Sequence, residues 1–344
     1  MFFKYMRFVA VVMGLLGSSS ELFAWDYTYH RVVNQIALAA LPKEFPDFIR
    51  NADVAERIAF LSGEPDRWRN SPENTFKHVN GPDHYMDLED LELVGLTPDT
   101  VSPFRHVFTA QLAAARTAHA DRLPAIGQHR NSDKTRELSG LLPWTINEYY
   151  GKLKSQFSYL KTFEELGTPE EIANARQNTI YIMGVMGHFV GDATQPLHTT
   201  KHFNGWVGPN PQGYTTDRGF HQQMDSGYLN TVGLDTAALL KQVQPAKALR
   251  AKGAKEDELF PDLMRFLLAQ GQLVETVYRV EKAGQFSGAG ENGLKGREFL
   301  AAQLLKAGQE LGDLWLTAWQ QAGEDTFLRD QLRARKTGRS SKSN

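Results

Sequence analysis

The feature that most constrains this chain is the segment Gly187–His198, which reads GHFVGDATQPLH. His188 and Asp192 are four residues apart, so on a helix both side chains project from one face, within about 5–6 Å of each other. Pro196 should end or kink that helix, which allows His198 to turn back toward the same region. Imidazole nitrogens and carboxylate oxygens are suitable zinc ligands. The segment therefore predicts a metal-binding helix end; the alternative is a helix with polar residues on its interior face.

A second histidine–aspartate pair supports the same interpretation. His221 and Asp225 are again four residues apart, after a glycine-rich stretch that would let the segment fold back. One such pair is weak grounds for a metal site, but two pairs so close in sequence make independent accident less plausible. In the first segment, Gly187 and Gly191 would leave the helix surface without side chains beside the ligands. We therefore expect another element to approach that helix closely.

Helical periodicity dominates the rest of the chain, and strand signals are scarce. The periodic stretches are 32–37, 52–59, 104–123, 146–163, 175–190, 263–280 and 299–319. Proline and glycine separate them, and no repeat or inter-domain linker stands out. We therefore predict an all-α protein with one multi-helix domain at residues 25–334 and a disordered, basic tail at residues 335–344.

Composition excludes several classes of protein. Of the 344 residues, 41% are hydrophobic and 23% are charged, which allows a sizeable core and argues against wholesale disorder. The net charge of −2 excludes a basic polyelectrolyte that binds nucleic acid by phosphate neutralisation alone. Because the chain has no cysteine, a zinc site must use His, Asp, Glu or backbone donors, and disulfide or thiol chemistry is excluded.

Residues 1–24 have the layout of a secretory signal peptide. Lys4 and Arg7 precede an apolar run at residues 8–16, and a workable cleavage site ends at Ala24. The alternative is an uncleaved anchor, but the apolar run is too short to span a bilayer. We expect a protein that is secreted or periplasmic once the peptide has been removed.

Cleavage after Ala24 would make Trp25 the new N-terminus, with His30 five residues further on. A free α-amino group and the carbonyl oxygen of the same residue can chelate a metal in a five-membered ring. Two more candidate ligands, Asp66 and His84, lie in segments that we predict to be loops. Each of those could be an ordinary polar turn, so neither predicts a metal site by itself.

Taken together, these residues resemble the superfamily that contains fungal-type single-strand nucleases and bacterial zinc-dependent phospholipases C. The matching positions run from Trp25 to Asp225, and residues 188–198 match the family pattern HF-x-GD-x-x-QP-x-H almost letter for letter. The resemblance implies the all-α fold of those enzymes and three zinc ions. It also favours His84 over its rival His78, because His84 stands in the family's His-aromatic-x-Asp context.

The resemblance further implies which residues hold each zinc ion. The first ion would have four ligands: Asp66, His84, His188 and Asp192. The second would take the amino nitrogen and carbonyl oxygen of Trp25, together with His30 and a bridging Asp192. The third would take His198, His221 and Asp225, with its other positions left to water and substrate. A bridged pair of zinc ions about 3.5–4 Å apart can share a hydroxide and clamp both oxygens of an in-line displacement.

Four positions acquire roles in catalysis or substrate binding from the resemblance alone. Asp66 would orient the attacking hydroxide, and Arg69 matches a nuclease-type arginine that contacts the phosphate in the transition state. Tyr85 falls where the nucleases stack a base, an interaction worth about 1–3 kcal/mol, and Asp87 falls where they hydrogen-bond the base edge. Without the resemblance, Arg69 would be interpreted as a surface residue and Tyr85 as a packing aromatic.

Nuclease and phospholipase C share this metal chemistry, so the ligands do not separate them. The short Trp25-to-His30 spacing, Asp225 in place of a glutamate, and Arg69 all favour the nuclease, whereas segments 219–221 and 314–319 look phospholipase-like. We predict a monomeric single-strand endonuclease or nucleotidase that acts on DNA and RNA, without a stable protein partner. Zinc-dependent phospholipase C, acting on phospholipid, is the alternative. A non-catalytic zinc-binding protein is the second alternative, disfavoured because no ligand is missing.

Overall fold

The structure is a computed structural model that describes residues 25–127, 131–252, 254, 258–288 and 290–338. The predicted signal peptide at residues 1–24 lies outside the described residues, as does the end of the predicted tail at 339–344. The final helix extends through Lys336, and Arg335 donates two hydrogen bonds to Glu171, so the first residues of that predicted tail are helical. None of the described helices is long and apolar enough to cross a membrane.

The described residues form fifteen α-helices. They are α1 (Tyr27–Ala40), α2 (Ala52–Leu61), α3 (Glu64–Arg69), α4 (Asn74–Asn80), α5 (Leu88–Leu93), α6 (Arg105–Ala118), α7 (Leu142–Leu166), α8 (Pro169–Thr194), α9 (Phe220–Gln222), α10 (Tyr228–Val232), α11 (Thr236–Leu240), α12 (Phe260–Gly271), α13 (Val274–Lys282), α14 (Glu291–Gln321) and α15 (Thr326–Lys336). The β-type pairing in the same residues is limited to an isolated bridge between Met86 and Gly140. The all-α prediction is confirmed.

Three differences from the sequence prediction have local physical causes. Asp66 does not lie in a loop but on α3, because Pro65 occupies the first turn of a helix, where its missing N–H costs nothing. His84 lies in a short 3₁₀ helix, Gly81–His84, that also has its proline in the first turn. The single periodic stretch 263–280 forms two helices, α12 and α13, which are separated at residues 272–273.

Helix α8 is the central element of the fold. A capping box starts it, in which the Thr168 side chain accepts from the Glu171 N–H and the Glu171 carboxylate accepts from the Thr168 N–H. It packs against α7 and α14 and also against α1 and α2. Every residue from Met183 to Thr194 is buried. The end of α8 that carries the predicted ligands His188 and Asp192 is therefore enclosed by other helices.

Glycines on α8 allow the neighbouring helices to approach it closely, as the sequence predicted for two of them. A methyl group at Gly187 would lie only 1.6 Å from Oδ1 of Asn34 on α1, and one at Gly191 would lie 2.9 Å from Nδ1 of His30. Asn34 on α1 links three helices, because its Nδ2 donates to the carbonyl of Ile58 on α2 and to the carbonyl of Gly184 on α8. The same close approach brings His30 against the ligand face of α8.

Candidate metal centre

Eight histidine and aspartate side chains predicted as ligands are brought together around the C-terminal end of α8. Each has at most 5% of its surface exposed. They are His30, Asp66, His84, His188, Asp192, His198, His221 and Asp225. They form three groups in which the potential ligand atoms all lie within 4.8 Å of one another. Each group could hold a metal ion.

The first group consists of Asp66, His84 and His188. His188 Nε2 lies 2.9 Å from His84 Nδ1 and 3.8 Å from Asp66 Oδ1. Oδ2 of Asp192 is 2.9 Å from the same His84 nitrogen and 3.3 Å from His188 Nε2. Nitrogen and oxygen atoms from α3, the 3₁₀ helix Gly81–His84 and α8 therefore converge on one point.

The second group consists of His30, His188 and Asp192. The rings of His30 and His188 stack with their centroids 3.8 Å apart, and Nε2 of His30 lies 3.4 Å from Oδ1 of Asp192. Since Oδ2 of Asp192 faces the first group, this carboxylate lies between the two groups with one oxygen toward each. Neither ring nitrogen of His30 has a hydrogen-bond partner among the described residues.

The third group consists of His198, His221 and Asp225. The two Nε2 atoms are 3.1 Å apart, and Oδ2 of Asp225 is 2.8 Å from the Nε2 of His221. His221 and Asp225 do not lie on an uninterrupted α-helix, because α9 passes into a π-helical turn, Gln223–Gly227. Single π-helical turns occur frequently at functional sites, where they redirect a side chain.

Backbone carbonyls fix the orientation of three of the histidine rings. Nδ1 of His188 lies 2.7 Å from the carbonyl oxygen of Ser62. Nδ1 of His198 lies 2.5 Å from the carbonyl oxygen of His84. Nδ1 of His221 lies 3.3 Å from the carbonyl oxygen of Phe203. A carbonyl can only accept, so Nδ1 is the N–H donor in each ring, and Nε2 carries a lone pair wherever the ring is neutral. Outer-shell contacts of this type orient metal-ligating histidines.

The contact between His198 and His221 is a direct test of whether a cation fits. Both Nε2 atoms carry lone pairs at 3.1 Å, and two such atoms cannot hydrogen-bond each other without an added proton. Buried polar atoms without partners cost about 1–3 kcal/mol each, and Nε2 of His84 and Oδ1 of Asp192 are also without hydrogen bonds among the described residues. A cation in the third group would satisfy the two facing Nε2 atoms, and a cation in the second group would satisfy Oδ1 of Asp192, so the donor set fits metal ions.

The protonation states favour metal binding. Burial lowers the pKa of His84 to about 4 and that of His198 to about 3. Burial lowers the pKa of His188, but Asp192 outweighs it, so that pKa is raised. Burial opposes ionisation of Asp192, but His188 outweighs it and holds the pKa of this carboxyl well below its usual value. Burial raises the pKa of Asp225 to about 6. Near neutral pH, therefore, His84 and His198 are neutral and the carboxyls are ionised, which is the ligand form that metals require.

Asp66 and Arg69 form an ion pair at the edge of the first group. Nε of Arg69 lies 2.9 Å from Oδ1 of Asp66, and the two residues are separated by one turn of α3. Burial raises the pKa of Asp66, but Arg69 and then His188 outweigh it, so the pKa is lower than usual. Only 14% of the Arg69 side chain is exposed, which places its guanidinium within the site rather than on the open surface.

The two residues predicted to bind a base are only partly exposed. Burial raises the pKa of the Tyr85 phenol, and burial with Asp90 raises the pKa of Asp87 well above its usual value.

His78, the rival of His84 in the sequence, belongs to none of the three groups. Its Nδ1 lies 2.9 Å from the carbonyl oxygen of Asp133.

Trp25 lies beside the second group. Its side chain is fully buried, and its indole N–H donates to the Gly191 carbonyl at 3.1 Å. The next residue, Asp26, caps α1 by accepting from the N–H groups of Thr28 and Tyr29. The backbone of Trp25 is therefore held at the start of the helix that carries His30.

Two supporting residues were missed in the sequence. Gln195 is buried and donates from Nε2 to Oδ1 of Asp225 at 3.1 Å; its place in the QP pair was the available signal. Arg105 donates to Asp83 at 2.7 Å and to Glu148 at 2.7 Å, which anchors the turn that carries His84. No sequence signal connected Arg105 with that turn, because the contact depends on how α6 packs.

Comparison with known proteins adds little to this geometry. No family model matches the chain. No curated protein matches it. Among solved structures, the alpha toxin from Clostridium absonum aligns with a TM-score of 0.39 and 13% identity over 87% of this chain and 64% of the toxin. The alpha-toxin of Clostridium perfringens from avian strain SWCP aligns with a TM-score of 0.37 and 14% identity over 89% of this chain and 66% of the toxin. This chain thus spans slightly less than two thirds of the length of either toxin, and the assignment of function depends on its own ligand geometry.

Proposed function

We propose that this protein is a zinc-dependent phosphodiesterase that holds three zinc ions. The observation that carries the proposal is the convergence of three buried ligand groups, with Asp192 between two of them. All their side-chain donors are nitrogen or oxygen, a set that suits zinc. Two metal ions that share a carboxylate are typical of enzymes that displace an oxygen at phosphorus.

The ligands would divide among the ions as the resemblance implies. Asp66, His84 and His188 would hold the first ion, and Asp192 would join it to the second. His30 would hold the second ion together with the amino nitrogen and carbonyl of Trp25, once residues 1–24 have been removed. His198, His221 and Asp225 would hold the third. When bound, zinc supplies a Lewis acid and activates water as a nucleophile near neutral pH.

The remaining residues of the site position the substrate. Arg69 is kept at the first group by its ion pair with Asp66, where its guanidinium can donate to a phosphate oxygen. An arginine in that position would stabilise charge that develops in the transition state. Asp66 is ion-paired with Arg69 through one oxygen, so its carboxylate is positioned both to bind metal and to orient the attacking nucleophile.

Two substrate classes fit this chemistry, and the site residues alone do not separate them. Neither of the two toxins reported above is named as a nuclease, so phospholipid is tested alongside nucleic acid. The features that favour nucleic acid are local: Asp225 as the last ligand, and the ion pair of Arg69 with Asp66. Export to the periplasm or medium, as a monomer, is part of the same proposal.

The test uses the purified protein without its leader, with and without chelator. Zinc content, release of nucleotides from single-stranded DNA and RNA, and release of diacylglycerol from phosphatidylcholine are measured together. We expect three zinc ions per chain and chelator-sensitive hydrolysis of one class. Release of diacylglycerol without nucleotides would exclude the nuclease, whereas three zinc ions with no turnover on any phosphoester would support a non-catalytic zinc-binding protein.

A further inference from the structure

A cleft of about 790 Å³ opens beside the first ligand group. The residues that shape it come from four parts of the chain: Tyr27, Phe60, Gly63, Asp66, Asn70 and Gln222. Asp66 belongs to the first group, and Gln222 follows His221 of the third. A substituent on a phosphate held at the ligand groups would therefore extend into this cleft. Neither Tyr85 nor Asp87, the predicted substrate contacts, lines it.

Two aromatic rings form one wall of the cleft and remain accessible. Tyr27 is 45% exposed and Phe60 is 38% exposed, and the rings meet edge to face with centroids 6.2 Å apart. The Tyr27 ring lies directly over Gly63, where a methyl group would approach its Cδ2 to 2.4 Å. Its hydroxyl accepts from Arg31 at 3.1 Å. The wall is thus held in place although it faces solvent, so a ligand would stack on it without first ordering the side chains.

The charges around the wall select among ligands. The guanidinium of Arg31 lies 5.3 Å from the Tyr27 ring centre, and that of Arg57 lies 5.3 Å from the Phe60 ring centre. Each ring already interacts with a cation. The carboxylates that line the cleft also have partners: Glu64 is paired with Arg67, Asp66 is paired with Arg69, and Asp26 caps α1. A quaternary ammonium headgroup would therefore gain little from these rings or from these carboxylates. Asn70 and Gln222 contribute amides to the lining, which suits a flat polar ring better than an acyl chain.

We propose that Tyr27 and Phe60 stack a nucleobase of the substrate, and that this wall, rather than Tyr85, makes the chain selective for nucleoside phosphodiesters. The inference rests on the proposed phosphodiesterase function and names its substrate class. Stacking of a base on an aromatic side chain is worth about 1–3 kcal/mol. The ring of Tyr27 should therefore account for a roughly tenfold preference for substrates that carry a base.

The experiment compares Tyr27→Leu and Phe60→Leu with Tyr159→Leu, which removes a ring of similar exposure on α7. The metal-loaded proteins are assayed on the p-nitrophenyl ester of thymidine 5′-phosphate, on methyl p-nitrophenyl phosphate, and on p-nitrophenyl phosphorylcholine. We expect Tyr27→Leu to raise KM for the thymidine ester about tenfold and to leave the other two substrates within twofold. Tyr159→Leu should change none of them. Equal losses on all three esters, or a loss confined to the choline ester, would overturn the inference.

A binding measurement separates this inference from the proposed function. Titration with thymidine 5′-monophosphate requires no turnover. If the wild-type protein hydrolyses no ester but binds the nucleotide, and Tyr27→Leu weakens binding about tenfold, the cleft assignment stands while the enzymatic proposal fails. If the wild-type protein does not bind the nucleotide, the cleft assignment is wrong whatever the activity.

Discussion

Replacing Gly191 with alanine should lower the metal content by one ion while leaving the fold intact. Gly191 precedes Asp192 on α8, and an added Cβ would lie 2.9 Å from Nδ1 and 3.1 Å from Cε1 of His30. Ordinary contacts begin near 3.4 Å, so the imidazole must move by about half an ångström. Its ring is stacked against His188 at 3.8 Å, which restricts where it can go. Gly191→Ala should therefore separate His30 from Asp192 in the second group.

The expected changes in stability and in zinc affinity show that Gly191→Ala should lose metal rather than unfold. Overpacking a core site costs about 1–3 kcal/mol, and replacing glycine with alanine inside a helix returns about 1 kcal/mol. The net loss of stability is then at most about 2 kcal/mol. Zinc affinity should fall further, because disturbing the groups that orient a ligand costs roughly 10–100-fold in metal affinity.

The assay is zinc content after dialysis at limiting free zinc, together with urea unfolding with and without chelator. The matched control is Gly151→Ala on α7, where an added methyl would have nothing within 4 Å. The control should keep all its zinc and gain up to about 1 kcal/mol of stability. If Gly191→Ala bound the same number of zinc ions with the same affinity as the control, the assignment of His30 to a metal group would be wrong.

Three further predictions test other parts of the site and fold. Arg69→Ala should keep its zinc content and lose most of its kcat, since the proposed role of the guanidinium is confined to the transition state; Arg176→Ala, a surface change, should keep both its zinc content and its kcat. Extra residues ahead of Trp25 should lower the zinc content by one ion, as measured by metal analysis. Burial, with Asp313, raises the pKa of Glu310 from 4.5 to about 7, so the native state binds the extra proton. The free energy of unfolding should fall as pH rises from 4.5 to 7, by up to about 3 kcal/mol, and Glu310→Gln should flatten that dependence in urea titrations.

The sequence predicted the ligand pairs because they depend on local geometry. The four-residue spacings of His188 with Asp192 and of His221 with Asp225 can be interpreted without knowing the rest of the fold. The positions of Asp66 and His84 required the resemblance, and the segments around them were wrongly predicted to be loops. A proline in the first turn of a short helix is difficult to distinguish from a proline in a turn by sequence alone.

What the sequence did not predict depends on contacts between distant elements. The carbonyl oxygen that orients His188 belongs to Ser62, 126 residues earlier, and any residue type could have supplied it. The segments that carry His84 and His198 are joined by similar backbone contacts. Nδ1 of His198 faces the His84 carbonyl, and the Met86 N–H donates to the His198 carbonyl. Such contacts are set by how the backbone of one segment packs on another, so residue identity carries no trace of them.

The placement of Trp25 would connect the proposed metal site to removal of the proposed leader. Its indole is bonded to the carbonyl of Gly191, the same residue whose missing side chain admits His30. Packing alone thus holds the backbone of residue 25 beside the second group. The chemistry there changes with cleavage: a peptide nitrogen has a delocalised lone pair that binds metal poorly, whereas a free amine near neutral pH can lose its proton and bind. Without cleavage, the second group would have the side chains of His30, His188 and Asp192 but lack the terminal nitrogen. An uncleaved chain would therefore be folded and only partly loaded, so export itself would complete the enzyme.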